Sequence, residues 1–218
     1  MASYYGWKKV DISSYDAFRR EVLGNDAVLT VDLGVSSITG AVTVVLKDKD
    51  GNVVKSLTNA SYVDGKPVFI FTGLGAGEYG VFVAYAGSTN YNVFAQQKVG
   101  NNLTVAKADI VLIVSAEGIV YGNPAEIIIE VPADADGTVT VTVGGKSNST
   151  STKGTDGKYH VFINGLDADA NAYTVTVNYS DDVNYNDNTT TVSLKVNKSD
   201  ISRVVVLPFG VVYGNDDF

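Results

Sequence analysis

Between residues 137 and 179 apolar and polar residues alternate with a period of two. Val139, Val141 and Val143 alternate with Thr138, Thr140 and Thr142, and Tyr173, Val175, Val177 and Tyr179 alternate with Thr174, Thr176 and Asn178. Such a period gives each strand one buried and one wet face, the pattern of an antiparallel sandwich rather than a parallel sheet. Ile127-Ile128-Ile129 reads as a short continuous apolar strand. Gly144-Gly145 and Asp156-Gly157 supply the positive-φ residues that tight hairpins need. The pattern predicts strands near 109–121, 125–131, 137–143, 147–152, 158–164, 171–179 and 188–196.

The same pattern occurs twice. Gly40-Ala-Val-Thr-Val-Val-Leu46 aligns with Gly137-Thr-Val-Thr-Val-Thr-Val143, Asp64-Gly65-Lys66 with Asp156-Gly157-Lys158, and Asn90-Tyr91-Asn92 with Asn184-Tyr185-Asn186. Each body opens on one phrase: Lys9-Val10-Asp11-Ile12, Lys107-Ala108-Asp109-Ile110 and Lys198-Ser199-Asp200-Ile201. The starts lie 98 and then 91 residues apart, as the numbers 9, 107 and 198 give directly. A period of this size in a β-rich chain means tandem modules, and sandwich modules run near 100 residues. The expected organisation is a module over 1–106, a second over 107–197, and the first strand of a truncated third repeat over 198–218.

Several segments resemble a known family. Gly137-Thr-Val-Thr-Val, Asn164-Gly-Leu, Ala172-Tyr-Thr-Val-Thr-Val-Asn-Tyr-Ser-Asp-Asp-Val-Asn-Tyr and Val192-Ser-Leu-Lys-Val are similar to the immunoglobulin-like repeats of bacterial and archaeal surface proteins, such as the adhesin-like proteins of methanogens. The resemblance implies an all-β chain of two tandem Ig-like antiparallel β-sandwiches. It names no ligand. Asp181-Asp182 stands where the family carries Gly-Asp, and Gly87-Ser88 of the first body has lost the acid.

The first body is the more apolar. Val45 and Phe82 stand where the second has Thr142 and Thr176, which makes Val45 and Phe82 candidate partner contacts unless the chain itself covers them. Upstream, Ser14-Tyr-Asp-Ala-Phe-Arg-Arg-Glu-Val-Leu-Gly24 carries a capping serine, an apolar face of Tyr15, Phe18 and Val22, and a stop glycine. These predict a short N-terminal helix over 14–22, although the repeat register places a strand there. In the tail, Val204-Val-Val-Leu207 and Val211-Val212-Tyr213 predict an orphan strand. Such a strand pairs in cis, is left free, or is donated head to tail to a neighbour.

Composition narrows the classes. There is no cysteine, so no disulfide framework, thiolate metal site or thiol nucleophile exists. No run of about 18 apolar residues spans a membrane. The net charge of −8 falls entirely in residues 107–218, with 7 Lys/Arg against 15 Asp/Glu, while residues 1–106 carry 9 of each. An acidic surface repels nucleic acid.

The candidate chemistry is sparse. Asp181, Asp182, Asn184, Asn186 and Asp187 form an oxygen-rich loop that fits calcium in ligand type, but lacks the EF-hand glycine and closing glutamate. Asp134, Asp136, Asp167 and Asp169 are turn carboxylates that could pair for acid–base work. His160 is the only histidine and aligns with Val68; one histidine builds neither a triad nor a three-histidine metal site. Lys107 and Lys198 are candidates for an isopeptide crosslink or for plain linker lysines. Tyr79, Tyr85, Tyr91, Tyr173, Tyr179 and Tyr185 recur at equal positions, which predicts core and corner residues with backbone-capped hydroxyls. Asn59, Asn102, Asn148, Asn178, Asn188 and Asn197 open glycosylation sequons.

The expectation is a non-enzymatic stalk or adhesin segment at a prokaryotic, archaeal-type cell surface, with neighbouring Ig-like modules of the same chain as partners. The alternatives are a module that binds a surface glycan or protein, or a strand-donating filament subunit.

Overall fold

The computed structural model describes residues 21–22, 24, 26–35, 39–58, 61–63, 65–202 and 204–205. Among these the chain is all-β, with no helix. Contacts gather it into two units: Met1–Leu112 with Val131–Val139 and Asn178–Thr189, and Ile113–Glu130 with Thr140–Val177 and Thr190–Phe218.

The first unit contains β1 (Glu21–Val22), β2 (Ala27–Thr30), β3 (Val42–Lys47), β4 (Val53–Thr58), β5 (Ser61–Val63), β6 (Lys66–Phe71), β7 (Gly77–Tyr85), β8 (Phe94–Lys98) and β9 (Leu103–Ala106). One sheet has the order β1-β9-β7-β3-β4 with β8 also on β7, and a second has the order β2-β6-β5. Alternation builds the core. Val42, Val44 and Leu46 from β3, Val81, Val83 and Tyr85 from β7, and Ala27, Leu29, Phe69 and Phe71 from the second sheet are all buried in one cluster. Burying a side chain of this size contributes about 1.5–3 kcal/mol.

The later strands are β10 (Ile113–Ala116), β11 (Ile119–Val120), β12 (Ala125–Glu130), β13 (Thr138–Val143), β14 (Lys146–Thr150), β15 (Tyr159–Ile163), β16 (Tyr173–Ser180), β17 (Asn188–Leu194) and β18 (Val196–Asn197). They form sheets of order β10-β12-β15, β14-β13-β16-β17 and β11-β18. Ile127, Ile129, Val139, Val141, Val161, Val175 and Val177 are each at most 1% exposed, and for Val139, Val141, Val175 and Val177 this is the face that alternation predicts.

Two expectations are corrected. The strand predicted over 109–121 is broken into β10, antiparallel to β12, and β11, parallel to β18. Gly118 lies at the break, with Lys195 O 3.4 Å from where its Cβ would be. At the end of the helix predicted over 14–22, Glu21–Val22 is instead β1, parallel to Val105–Ala106 of β9. Residues 14–20 lie outside the described residues. Adding the repeat distance of 98 to Glu21–Val22 gives Ile119–Val120, which makes the equivalent parallel pair. The parallel bonds to β9 satisfy backbone groups that local apolar spacing takes no account of.

The repeated Gly-x-Val start has a packing reason. A Cβ on Gly137 would lie 2.5 Å from Ser180 O and 2.5 Å from Cζ of Tyr179, and one on Gly40 2.4 Å from Gly87 O and 3.1 Å from Cε2 of Tyr85. The repeated Tyr85 and Tyr179 rings thus lie against a backbone that has no side chain.

Candidate functional site

The repeat phrase and the oxygen-rich loop prove to be two halves of one assembly. Lys107 Nζ donates to the Asp182 carbonyl at 2.7 Å. Ala108 N–H donates to Asn184 O at 3.0 Å, and Asn186 N–H to Ala108 O at 2.8 Å, a parallel bridge between Ala108 and Tyr185. Asn186 Nδ2 donates to Asp109 Oδ1 at 2.8 Å, and Asn188 Nδ2 to Ile110 O at 2.8 Å. Ile110 is buried at 3% exposure, whereas Ile201, in the next copy of the phrase, is 83% exposed. Asn184 Oδ1 also accepts the Ala76 N–H at 3.0 Å.

Asp182 organises the loop. It is 5% exposed. Its Oδ2 accepts Asp136 N–H at 2.7 Å and the Tyr179 hydroxyl, and its Oδ1 accepts Asn184 N–H at 2.6 Å and Tyr185 N–H at 3.0 Å. Burial pushes the carboxyl up, but the bonds from Tyr179, Asn184, Asp136 and Tyr185 together outweigh it and hold the group below the ordinary carboxylate value. Tyr179 in turn accepts Gly137 N–H at 2.7 Å. Asp181 has φ 61, the left-handed region, at the position where the first body has Gly87 with φ 84. In that body Ser88 N–H donates to Tyr91 O at 2.8 Å, so the loop closes without an acid.

This geometry bears on each candidate residue. In the calcium set, Asp182 has both oxygens engaged, Asn184 Oδ1 is engaged by Ala76, and Asp181 and Asp187 are exposed. Among the described residues no group of three His, Cys, Asp or Glu is arranged to hold a metal ion. The four turn acids have separate partners. Asp134 accepts the Tyr185 hydroxyl at 2.9 Å, Asp169 accepts Asn171 N–H at 2.8 Å, Asp136 offers its N–H to Asp182, and the carbonyl of Asp167 accepts the Tyr173 hydroxyl at 3.0 Å. Burial first, and Asp134 next, push the Tyr185 hydroxyl above its ordinary value.

Of the repeated tyrosine hydroxyls, three donate to backbone carbonyls, whereas those of Tyr179 and Tyr185 donate to the Asp182 and Asp134 carboxylates. Tyr79 donates to Gly75 O at 2.8 Å, Tyr173 to Asp167 O, and Tyr85 to Thr39 O. Lys198 is exposed. Of the sequons, Asn59 lies outside the described residues. Asn148 Nδ2 donates to Phe162 O at 3.0 Å, as Asn188 Nδ2 does to Ile110 O, so in each the nitrogen that would carry a glycan already holds one hydrogen bond. Asn102 Nδ2 reaches Glu78 at 3.4 Å, Asn178 accepts the Thr189 hydroxyl at 2.9 Å, and Asn197 is exposed.

Val45 and Phe82 are direct cross-strand partners on β3 and β7. Val45 is only 6% exposed, and Lys47 Nζ sits 4.5 Å from the centre of the half-buried Phe82 ring. Other apolar residues of the first unit are more exposed: on the β2-β6-β5 sheet Val28 at 43% pairs with Ile70 at 51%, with Val63 at 56% on β5, and on β4 Val53 is at 60%. The orphan strand expected in the tail lies largely outside the described residues; Val204 and Val205 are exposed and belong to no strand.

Residue-by-residue reading missed one cluster. His160 Nδ1 lies 2.7 Å from Glu126 Oε1, and Nε2 lies 3.1 Å from Asp156 Oδ2. The repeat alignment held the signal: Glu126 and His160 replace Val28 and Val68 of the first body, and the two changes occur together.

The chain matches no protein-family model and no curated protein. The solved structures it is similar to include Ig and fibronectin(III)-like modules. They include the fibronectin(III)-like modules of Clostridium thermocellum CbhA, 13% identical with a TM-score of 0.34, covering 91% of this chain and 99% of that one. Dpr11 IG1 bound to DIP-gamma IG+IG2 is 16% identical with a TM-score of 0.36, covering 84% and 98%. The titin Ig tandem is 11% identical with a TM-score of 0.33, covering 82% and 93%.

Proposed function

We propose that the chain is a stalk or adhesin segment of a cell-surface protein, made of tandem Ig-like modules over 1–106 and 107–197. The observation that carries this reading is the lack of slack at the repeat boundary. Strand β9 ends at Ala106, and Ala108 is already paired to Tyr185. Only Lys107 stands between, and its own amine is bonded to Asp182 O. A free linker of several Gly or Ser residues behaves as a flexible coil. Here the backbone passes from strand to docked phrase without one, which suits repeats that follow one another without free linkers.

The test is small-angle scattering of the full chain against a variant with four Gly-Ser residues inserted between Ala106 and Lys107. The insertion is expected to broaden the distance distribution and raise the radius of gyration by more than the added residues account for. Equal flexibility in both chains would overturn the proposal.

A second reading, a protein-binding module, is supported by the exposed Val28, Val63 and Ile70 on the β2-β6-β5 sheet. A pull-down with the full chain and with a Val28→Glu, Ile70→Thr variant distinguishes it, because loss of capture in the variant is required.

A further inference from the structure

The His160 cluster has features that a satisfied surface histidine does not need. Both ring nitrogens face carboxylates: Nδ1 faces Glu126 on β12 at 2.7 Å, and Nε2 faces both oxygens of Asp156 at 3.1 and 3.2 Å. A neutral imidazole has one N–H, so it can serve one of these acceptors; only the imidazolium donates to both. The two carboxylates belong to different parts of the unit. Glu126 is on the middle strand of the β10-β12-β15 sheet, and Asp156 is in the turn that leads into β15.

That turn is built around the ring. Gly154 N–H donates to Lys158 O at 2.7 Å and Gly157 N–H to Gly154 O at 3.0 Å. A Cβ on Gly154 would lie 2.9 Å from Asp156 Oδ1 and 3.2 Å from His160 Cδ2. The remaining charges near the ring are of both signs. Glu117 shares with Glu126 a surface groove that Ile128 also lines, and Lys158 bridges Glu130 at 2.7 Å. Lys153 is turned to the Tyr159 ring, 5.7 Å from its centre.

The repeat provides an internal control. In the first unit Val28 pairs with Ile70, as Glu126 pairs with Phe162 in the second, and Val68 occupies the position of His160. The same sheet forms there with valines at both positions, so the fold does not require the charged cluster.

We propose that His160 is an acid-closed latch: its doubly protonated ring ties the 153–158 turn, through Asp156, to Glu126 of the sheet, and loss of one ring proton frees the turn. The neutral ring keeps the shorter bond to Glu126, so the bond to Asp156 is the one released. Asp156 then retains the Lys158 N–H, which Oδ1 accepts at 3.1 Å. The turn therefore loosens locally while the strand stays paired. The hydrogen bonds to Glu126 first, and to Asp156 next, raise the ring above its ordinary value, which places the opening at the neutral-to-alkaline side of that value.

The experiment uses the full chain. His160 is the only histidine, so its ring C–H resonances titrate without overlap from another imidazole. Its midpoint is expected above the ordinary histidine value, and both Glu126→Gln and Asp156→Asn should lower it. Amide exchange of Gly154 and Gly157, corrected for base catalysis, should lose protection with the same midpoint. In His160→Val, the residue type of the first unit, that pH step should disappear. A wild-type midpoint at or below the ordinary value overturns the latch. So does protection at Gly157 that is flat across the titration, or a step that persists in His160→Val.

Discussion

Replacing Asp182 tests whether the oxygen-rich loop is structural. The carboxylate accepts four hydrogen bonds, from Asp136 N–H, Tyr179 O–H, Asn184 N–H and Tyr185 N–H. Hydrogen bonds to a charged group contribute about 1.5–3 kcal/mol each, and each buried donor left without an acceptor costs about 1–3 kcal/mol. In Asp182→Asn the remaining oxygen can keep Asn184 and Tyr185. The new amide then faces Asp136 N–H, and Tyr179 cannot compensate fully because its oxygen already accepts Gly137 N–H. One stranded donor and weaker neutral bonds give an expected loss of about 2–3 kcal/mol. Asp182→Ala strands all the donors; partial access of water limits the loss to about 3–5 kcal/mol. Urea unfolding followed by far-UV circular dichroism at pH 7 measures both. The pH dependence supplies a second readout. The native carboxyl lies below its ordinary value of 3.8, so its contribution is complete above that value and is lost as pH falls through the native one. The gap between wild type and Asp182→Asn should therefore narrow in strong acid. Losses below about 1 kcal/mol for both variants, well under the cost of one stranded donor, would refute the assignment.

Other outcomes follow from the same geometry. Gly137→Ala should destabilise by about 2–3 kcal/mol in urea unfolding, because its methyl meets the Tyr179 ring and Ser180 O at 2.5 Å; a neutral result would mean that the ring can move away. Asp181→Gly should be neutral to stabilising by up to about 1 kcal/mol, since relief of a left-handed Asp exceeds the added chain entropy; a loss would show that its side chain matters more than its backbone. Val45→Thr should cost about 1–2 kcal/mol, because the added hydroxyl enters a 6%-exposed site; no cost would return Val45 to the surface. Calcium or EDTA should leave the thermal midpoint unchanged, because the Asp182 oxygens are already engaged; a calcium-dependent rise would restore the metal reading.

Much of this fold is legible in the sequence, because alternation is a local property that the folded chain keeps. The inward valines of β13 and β16 and the paired repeats show where strands run, and even the strained Asp181 can be picked out as a departure from a glycine position. The tertiary structure decided three matters that local pattern could not. Glu21–Val22 pairs as a strand despite helical apolar spacing, because bonds to β9 lie some eighty residues away in the chain. Asp182 accepts three backbone N–H groups and the Tyr179 hydroxyl, because it is buried among donors from residues 136, 179, 184 and 185. His160 gains two carboxylates, one of them 34 residues distant, because β12 and β15 lie side by side. Periodicity specifies which face of a strand is wet; only the pairing of strands specifies which charged groups meet there.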